Sequence, residues 1–268
     1  MKTVLVTGAA GGIGAATCRY FEERGYRVLA HVRSAERAEA LCEGTTWLPI
    51  HGDVTRDGDV ASIAAQVEEA GSLDLLVHNA GVLSRDRQKG PHGVGIQAEV
   101  NVLAPFTLTK TLVPLLHESE APQVFTLTSS AANFALGTDY AKLADPDGSS
   151  LFGHYALSKA AANALTVAMA KLFPHIAFAA TEPGFVTTDM TAANPSMPWV
   201  MAKLAPFLGT TPEKAVERSY DMLLASQWKS GIVVQNGKPV RGKRWEREEA
   251  QASLHALFDR AGLPLRAD

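Results

Sequence analysis

Seven short apolar runs, separated by helix-length amphipathic stretches, set the limits on what this chain can fold into. They are KTVLVT (2–7), YRVLAHV (26–32), TWLPIH (46–51), LDLLVH (73–78), QVFTLTS (123–129), IAFAAT (176–181) and GIVVQ (231–235). Several are apolar at consecutive positions. A strand that hides one face alternates, whereas a continuous run suits a strand covered on both faces, as in a parallel sheet between helices. Helical patterns lie between the runs, at about 12–24, 35–43, 57–70, 93–117, 153–173 and 212–227, with a last amphipathic stretch at about 245–261. This β-α-β-α rhythm predicts an α/β fold, a doubly wound parallel sheet of about seven strands with helices on both faces. No repeat, low-complexity tract or linker interrupts it, so residues 1–268 are expected to form a single domain.

Bulk properties narrow the function. The chain has 268 residues, enough for one substantial core. Its net charge is −3 and no basic stripe is present, so nucleic acid is not an expected partner. The opening MKTVLVTG is too short for a signal peptide or a spanning helix, and no Lys/Arg-rich amphipathic helix points to a membrane surface. The two cysteines, Cys18 and Cys42, form neither a C-x-x-C pair nor a metal spacing, so no metal is expected. A cytoplasmic, reduced protein is the simplest expectation.

The first run ends in TGAAGGIG (7–14). Gly8, Gly12 and Gly14 at a strand-to-helix turn permit tight turning, and beside Ile13 they let a pyrophosphate approach the helix N-terminus. That is the signature of a Rossmann-type, NAD(P)-binding sheet, although a tight turn without ligand uses the same residues. The end of the second run should discriminate the cofactors, because an acid there binds the ribose 2′-hydroxyl and a basic residue a 2′-phosphate. The stretch AHVRSAER (30–37) has no acid through Ser34 and places Arg33 at the strand end, so NADP(H) is preferred over NAD(H). A solvated loop arginine is the plain alternative, and Glu36 is the acid that could reverse the preference. Asp53 with Val54 in HGDV lies past the third run and could accept from an adenine amino group. Asn79 in HNAG lies past the fourth, where its amide could knit backbone together while Ala80 and Gly81 leave room for the nucleoside. Each could be an ordinary turn residue.

These elements, with VNVLAPF (100–106), LTSS (127–130), YALSK (155–159) and PGFVTTDM (183–190), resemble in order the short-chain dehydrogenase/reductase family along nearly the whole chain. The resemblance implies a catalytic set of Tyr155 as proton donor or acceptor, Lys159 one helical turn on and bound to the nicotinamide ribose, Ser130 on the substrate oxygen, and Asn101 holding a water that links Lys159 to solvent. It also implies that Pro183, Gly184, Val186 and Thr188 position the nicotinamide. A nearby ammonium favours tyrosinate, which would lower the Tyr155 pKa from its usual value of about 10. Departures from the family are visible. The interval from Ser130 to Tyr155 is longer than in many members, a feature similar to the retinol-dehydrogenase-like and carbonyl-reductase-like branches. Gly11 stands where many NADP-using relatives are basic, and His78 replaces a usual asparagine.

Two stretches break the rhythm, 131–152 and 184–211, and both follow strand ends, where such sheets bind ligands. The second is read as a substrate loop, with Phe185 and Met190 as candidate substrate residues and Met197, Trp199, Met201 and Phe207 beside them. Phe134 and Phe152 flank the first. This composition suggests a lipophilic carbonyl or alcohol substrate, although core packing would use the same residues. Helix 160–173 is apolar nearly all round and must be covered on both sides, by a second copy or by the 131–152 insertion; homo-oligomer and monomer both stay open. The expected function is NADPH-dependent reduction of a ketone or aldehyde. An NAD-dependent alcohol dehydrogenase and a non-catalytic NAD(P)-binding regulator are the alternatives.

Overall fold

The computed structural model describes residues 1–84, 87–147, 150–184, 186, 210–240 and 244–267. Among the described residues eight strands lie in one sheet, ordered β3-β2-β1-β4-β5-β6-β7-β8. The strands are β1 (Thr3–Thr7), β2 (Arg27–Val32), β3 (Leu48–His51), β4 (Leu75–His78), β5 (Gln123–Leu127), β6 (Ala177–Glu182), β7 (Ile232–Gln235) and β8 (Lys238–Val240). The first seven pair in parallel. The order reverses between β1 and β4, which opens a crevice at their carboxyl ends. Only β8 is antiparallel, joined to β7 by an Asn236-Gly237 turn with φ of 51° and 70°. Those left-handed values are the ones a two-residue hairpin demands. The sequence pattern does not reveal β8, because its three residues are largely exposed and carry no apolar signal.

Helices cover both faces. On one side lie α1 (Gly12–Glu22), α2 (Ala35–Cys42) and α6 (Pro212–Ala225), burying Phe21, Ala38 and Tyr220 against Val4, Val28 and Phe125. On the other lie α3 (Asp57–Ala70), α4 (Ala104–Leu116), α5 (Leu151–Leu172) and α7 (Glu248–Arg260), packed through Ile63, Leu112, Leu165 and Phe258. Helix α5 starts two residues earlier than its pattern suggests, because Ser150 caps it by accepting from the Gly153 N–H. Helix α4 is entered through Ile96–Ala98 and a π-turn, Glu99–Leu103.

The insertion after β5 is not an open loop. It forms two short 3-10 turns, Ser130–Phe134 and Tyr140–Ala144, with Tyr140 and Leu143 wholly buried. Helix α7 clamps it: the Ser253 hydroxyl accepts from the Ala141 N–H, and Arg260 donates to the Ala141 carbonyl. Ahead of α7, Arg244 donates to the carbonyls of Asn133 and Ala135. The apolar helix α5 is therefore enclosed within this chain by the sheet, the insertion and α7, with Ala156 through Thr166 all buried. Among the described residues no helix is long and apolar enough to cross a membrane.

Candidate active site

The carboxyl ends of β1 and β4 meet at Asn79. Its side-chain amide donates to the carbonyls of Thr7 (2.8 Å) and Gly8 (3.0 Å). The Thr7 hydroxyl returns the contact by accepting from the N–H groups of Asn79 and Ala80, both at 3.1 Å. Backbone approach is very close here. A Cβ on Gly14 would lie 2.2 Å from the Gly8 oxygen, and Gly8, at φ +66°, would drive one into the Ala80 backbone at 2.9 Å. Helix α1 then begins at Gly12 with no side-chain cap and no acid in its first turn, so Gly12 and the half-buried Ile13 lie at an uncapped, positively polarised N-terminus. Val54 and Ala80 face a small cavity also lined by Thr7, His78, Val100 and Ala104. An uncapped helix start beside a side-chain-free turn fits the pyrophosphate of a dinucleotide.

At the end of β2, Arg33 is exposed and has no ion-pair partner among the described residues. Glu36 is turned onto its own helix: bonds from its backbone N–H and from Ser34 hold its carboxyl below the usual range. Asp53 already uses Oδ1 in a local turn, accepting from the N–H (3.0 Å) and hydroxyl (2.7 Å) of Thr55. His78, which the sequence leaves without a role, is buried and bonded through Nε2 to the Thr109 hydroxyl at 2.8 Å. Burial brings its pKa down to about 3, so it is a neutral spacer tying β4 to α4.

The proton-transfer candidates converge from β4, β5, α5 and the π-turn. Lys159 is buried, its ammonium donates to the Leu127 carbonyl at 3.2 Å, and it lies 5.9 Å from the centre of the Tyr155 ring. A Cβ on Gly81 would lie 3.1 Å from Asn101 Oδ1 and 3.2 Å from Lys159 Nζ, so Gly81 is the floor between them. Asn101 stands within the π-turn, a wider turn of the kind that recurs at functional sites. Its amide pairs with both backbone groups of Val82 and donates to the Ser158 hydroxyl at 3.0 Å. Ser158 in turn donates to the Tyr155 carbonyl at 2.8 Å. The side chain of Asn101 is thus a structural bridge, a role that reading VNVLAPF does not suggest.

At Tyr155 one expectation changes, and the two serines of LTSS take different surroundings. Of the two serines, Ser129 is the one that pulls the Tyr155 phenol down, and it caps the following turn by accepting from the Ala131 N–H. Ser130 is exposed one residue further on, because the chain leaves β5 at Leu127 and Ser129 still holds extended geometry. The pKa moves the other way from the expectation: burial raises the Tyr155 phenol, with Ser129 opposing. Burial brings Lys159 down to about 8. Ser129 and Ser158 are therefore two residues that motif reading passed over, although both stand inside LTSS and YALSK.

Beyond β6, Pro183 is buried and Gly184 adopts φ +79° against the Arg218 guanidinium, while Val186 bridges to Thr210. Phe185, Thr188, Met190, Met197, Trp199, Met201 and Phe207 lie outside the described residues. Among the described residues no group of His, Cys, Asp and Glu could hold a metal ion.

A parallel sheet with this order, a glycine crevice at its switch point and a Tyr-Lys pair on a buried helix defines a dinucleotide-dependent class of fold. The sequence profile of the short chain dehydrogenases matches residues 2–199, and the chain belongs to that family, whose members are NAD(P)-dependent oxidoreductases acting on CH–OH and C=O groups. Dehydrogenase/reductase SDR family member 13 of Bos taurus is 35% identical over 153 residues, 54% of this chain but only 40% of that relative's length. The short-chain dehydrogenase chyC of Penicillium rubens is 28% identical over 197 residues, covering 71% of this chain and 73% of its own. Among solved structures, the KRED1-Pglu enzyme superposes with a TM-score of 0.70 at 25% identity, over 87% of this chain and all of that one.

Proposed function

We propose that this chain reduces a lipophilic ketone or aldehyde to the alcohol with NADPH, Tyr155 giving the proton. The observation that supports the reading best is the meeting at Gly81 of a buried Lys159 with Asn101, which bridges through Ser158 to the backbone of Tyr155, whose phenol burial pushes up. A neutral phenol is the form that donates, which suits reduction. Gly8, Gly12, Ile13 and Gly14 would hold the pyrophosphate, Asn79, Ala80 and Gly81 the nucleoside side, and Arg33 a 2′-phosphate. Asp53 and Val54 would border the adenine. Pro183, Gly184, Val186 and Thr188 would border the nicotinamide, and Phe185 and Met190 the substrate. The bound nicotinamide supplies the hydride. Ser129, beside the phenol, would bond the substrate oxygen in place of Ser130. Lys159, charged below about pH 8, would favour negative charge developing at the phenol.

The exposed rings of Phe134 and Phe152, 6.3 Å apart on either side of the insertion, support an apolar substrate. The test is Tyr155→Phe assayed against lipophilic aldehydes, ketones and alcohols with both cofactors. Turnover should fall by about 10²- to 10⁴-fold while NADPH still binds. Retained turnover would remove Tyr155 from the chemistry, and tighter NADH than NADPH binding would favour the NAD-dependent alcohol dehydrogenase.

A further inference from the structure

One buried acid plays no part in this chemistry. Glu99, the first residue of the π-turn, has no exposed surface. A carboxylate there is costly unless hydrogen-bonded. His92 meets both of its oxygens: Nδ1 lies 2.7 Å from Oε1, and the His92 backbone N–H donates to Oε2 at 3.2 Å. The loop is shaped around this carboxylate, since a Cβ on Gly90 would lie 2.4 Å from Glu99 Cγ. The other imidazole nitrogen, Nε2, lies 3.4 Å from Oδ1 of Asp57, an exposed acid in the first turn of α3. Burial pushes the Glu99 carboxyl up, and the His92 bonds pull it back.

The position of this pair matters because of what the π-turn carries. Two residues on, Asn101 holds both backbone groups of Val82 and the Ser158 hydroxyl, which is bonded to the Tyr155 carbonyl. One turn thus holds two points of the preceding chain, Val82 through Asn101 and His92 through Glu99. A π-turn is a rare interruption of α-helix, of a kind frequent at functional sites.

We propose that the His92–Glu99 bond is a positioning latch, which fixes the start of the π-turn and so keeps Asn101, Ser158 and the Tyr155 backbone in register for proton transfer. His92 and Glu99 are positioning residues and touch no reacting atom. The proposal rests on reading Tyr155 and Lys159 as the proton-transfer pair, and its test separates the two ideas.

His92 is the residue to vary, because removing the wholly buried Glu99 invites misfolding. In His92→Ala the latch is lost. In His92→Asn a side-chain N–H remains near the Nδ1 position but cannot reach Asp57. The expected result for His92→Ala is a fall in kcat of roughly 10- to 100-fold, the scale of a small misplacement of catalytic groups. KM for NADPH should stay within about two-fold, because only the transition-state arrangement is lost. His92→Asn should recover most of the loss, and Asp57→Asn should change kcat by less than about two-fold, as expected of an exposed partner.

Hydrogen-exchange mass spectrometry supplies a readout that needs no substrate. His92→Ala should deprotect segments within 82–103 and leave β1 and α1 unchanged, whereas Tyr155→Phe should leave 82–103 protected. The latch is overturned if His92→Ala keeps its kcat, if His92→Asn is as impaired as His92→Ala, or if protection of 82–103 does not change. Should wild type turn over none of the carbonyls and alcohols tried, the reading of Tyr155 fails and exchange alone decides the latch.

Discussion

Around β1 and β4 the crevice is shaped mainly by backbone: Gly8 and Gly14 stand where no Cβ fits, and Asn79 bonds main-chain carbonyls. Across β5 and α5 the surroundings are held by side chains that reach over long stretches of chain. Lys159 reaches Leu127, Asn101 reaches Ser158, and Arg244 and Arg260 reach the insertion more than a hundred residues earlier. Close backbone approach dictates residue type, so the first region is written in short motifs. Long-range side-chain contact tolerates many solutions, so the second is not.

The largest effect that tests this contrast is at neighbouring serines. Ser129→Ala should lower kcat by about 10²- to 10³-fold, the scale of losing one donor at a developing oxyanion, whereas Ser130→Ala should stay near wild type. Steady-state kinetics on both variants decides between them, and the reverse result would restore Ser130 to the substrate. Next comes Gly14→Ala. A methyl 2.2 Å from the Gly8 oxygen should cost about 1–3 kcal/mol of stability and weaken cofactor binding more than Ser129→Ala does. Chemical denaturation and cofactor titration measure the two effects.

A pH profile probes the side-chain region. As pH rises through about 8, Lys159 loses the charge that favours a negative phenol, so kcat/KM for reduction should fall on an alkaline limb near that value. Substituting Met at Lys159 should abolish the limb along with most activity. The smallest effect is expected for Arg244→Ala, which frees the carbonyls of Asn133 and Ala135. It should cost about 1–2 kcal/mol, typical of lost charged hydrogen bonds, and raise substrate KM with little change in cofactor affinity. Thermal denaturation and kinetics check it; an equal loss of cofactor affinity would erase the contrast between the two regions.

The same contrast explains what could be read beforehand. Seven of eight strands and the doubly wound order follow from continuous apolar runs, and β8 escapes because it is short and exposed. Tyr155, Lys159 and Asn79 can be placed from their motifs. The choice between Ser129 and Ser130 depends on where β5 releases the chain, a difference of one residue that no periodicity resolves. The direction of the Tyr155 shift depends on burial, which the motif does not encode. The insertion has a loop's composition because its large buried side chains, Tyr140 and Leu143, are few, and its other buried positions are alanines such as Ala132 and Ala135. Its partners are far along the chain, and local pattern does not reveal them.

That distance has a consequence in time. Ala141 and its partner Ser253 are 112 residues apart. At a synthesis rate of about 5–20 residues per second, roughly 6–22 s separate their emergence from the ribosome. Through that interval the insertion has been made without the helix that clamps it. Phe134 and Leu136, already bare in the finished protein, lie in that unclamped stretch.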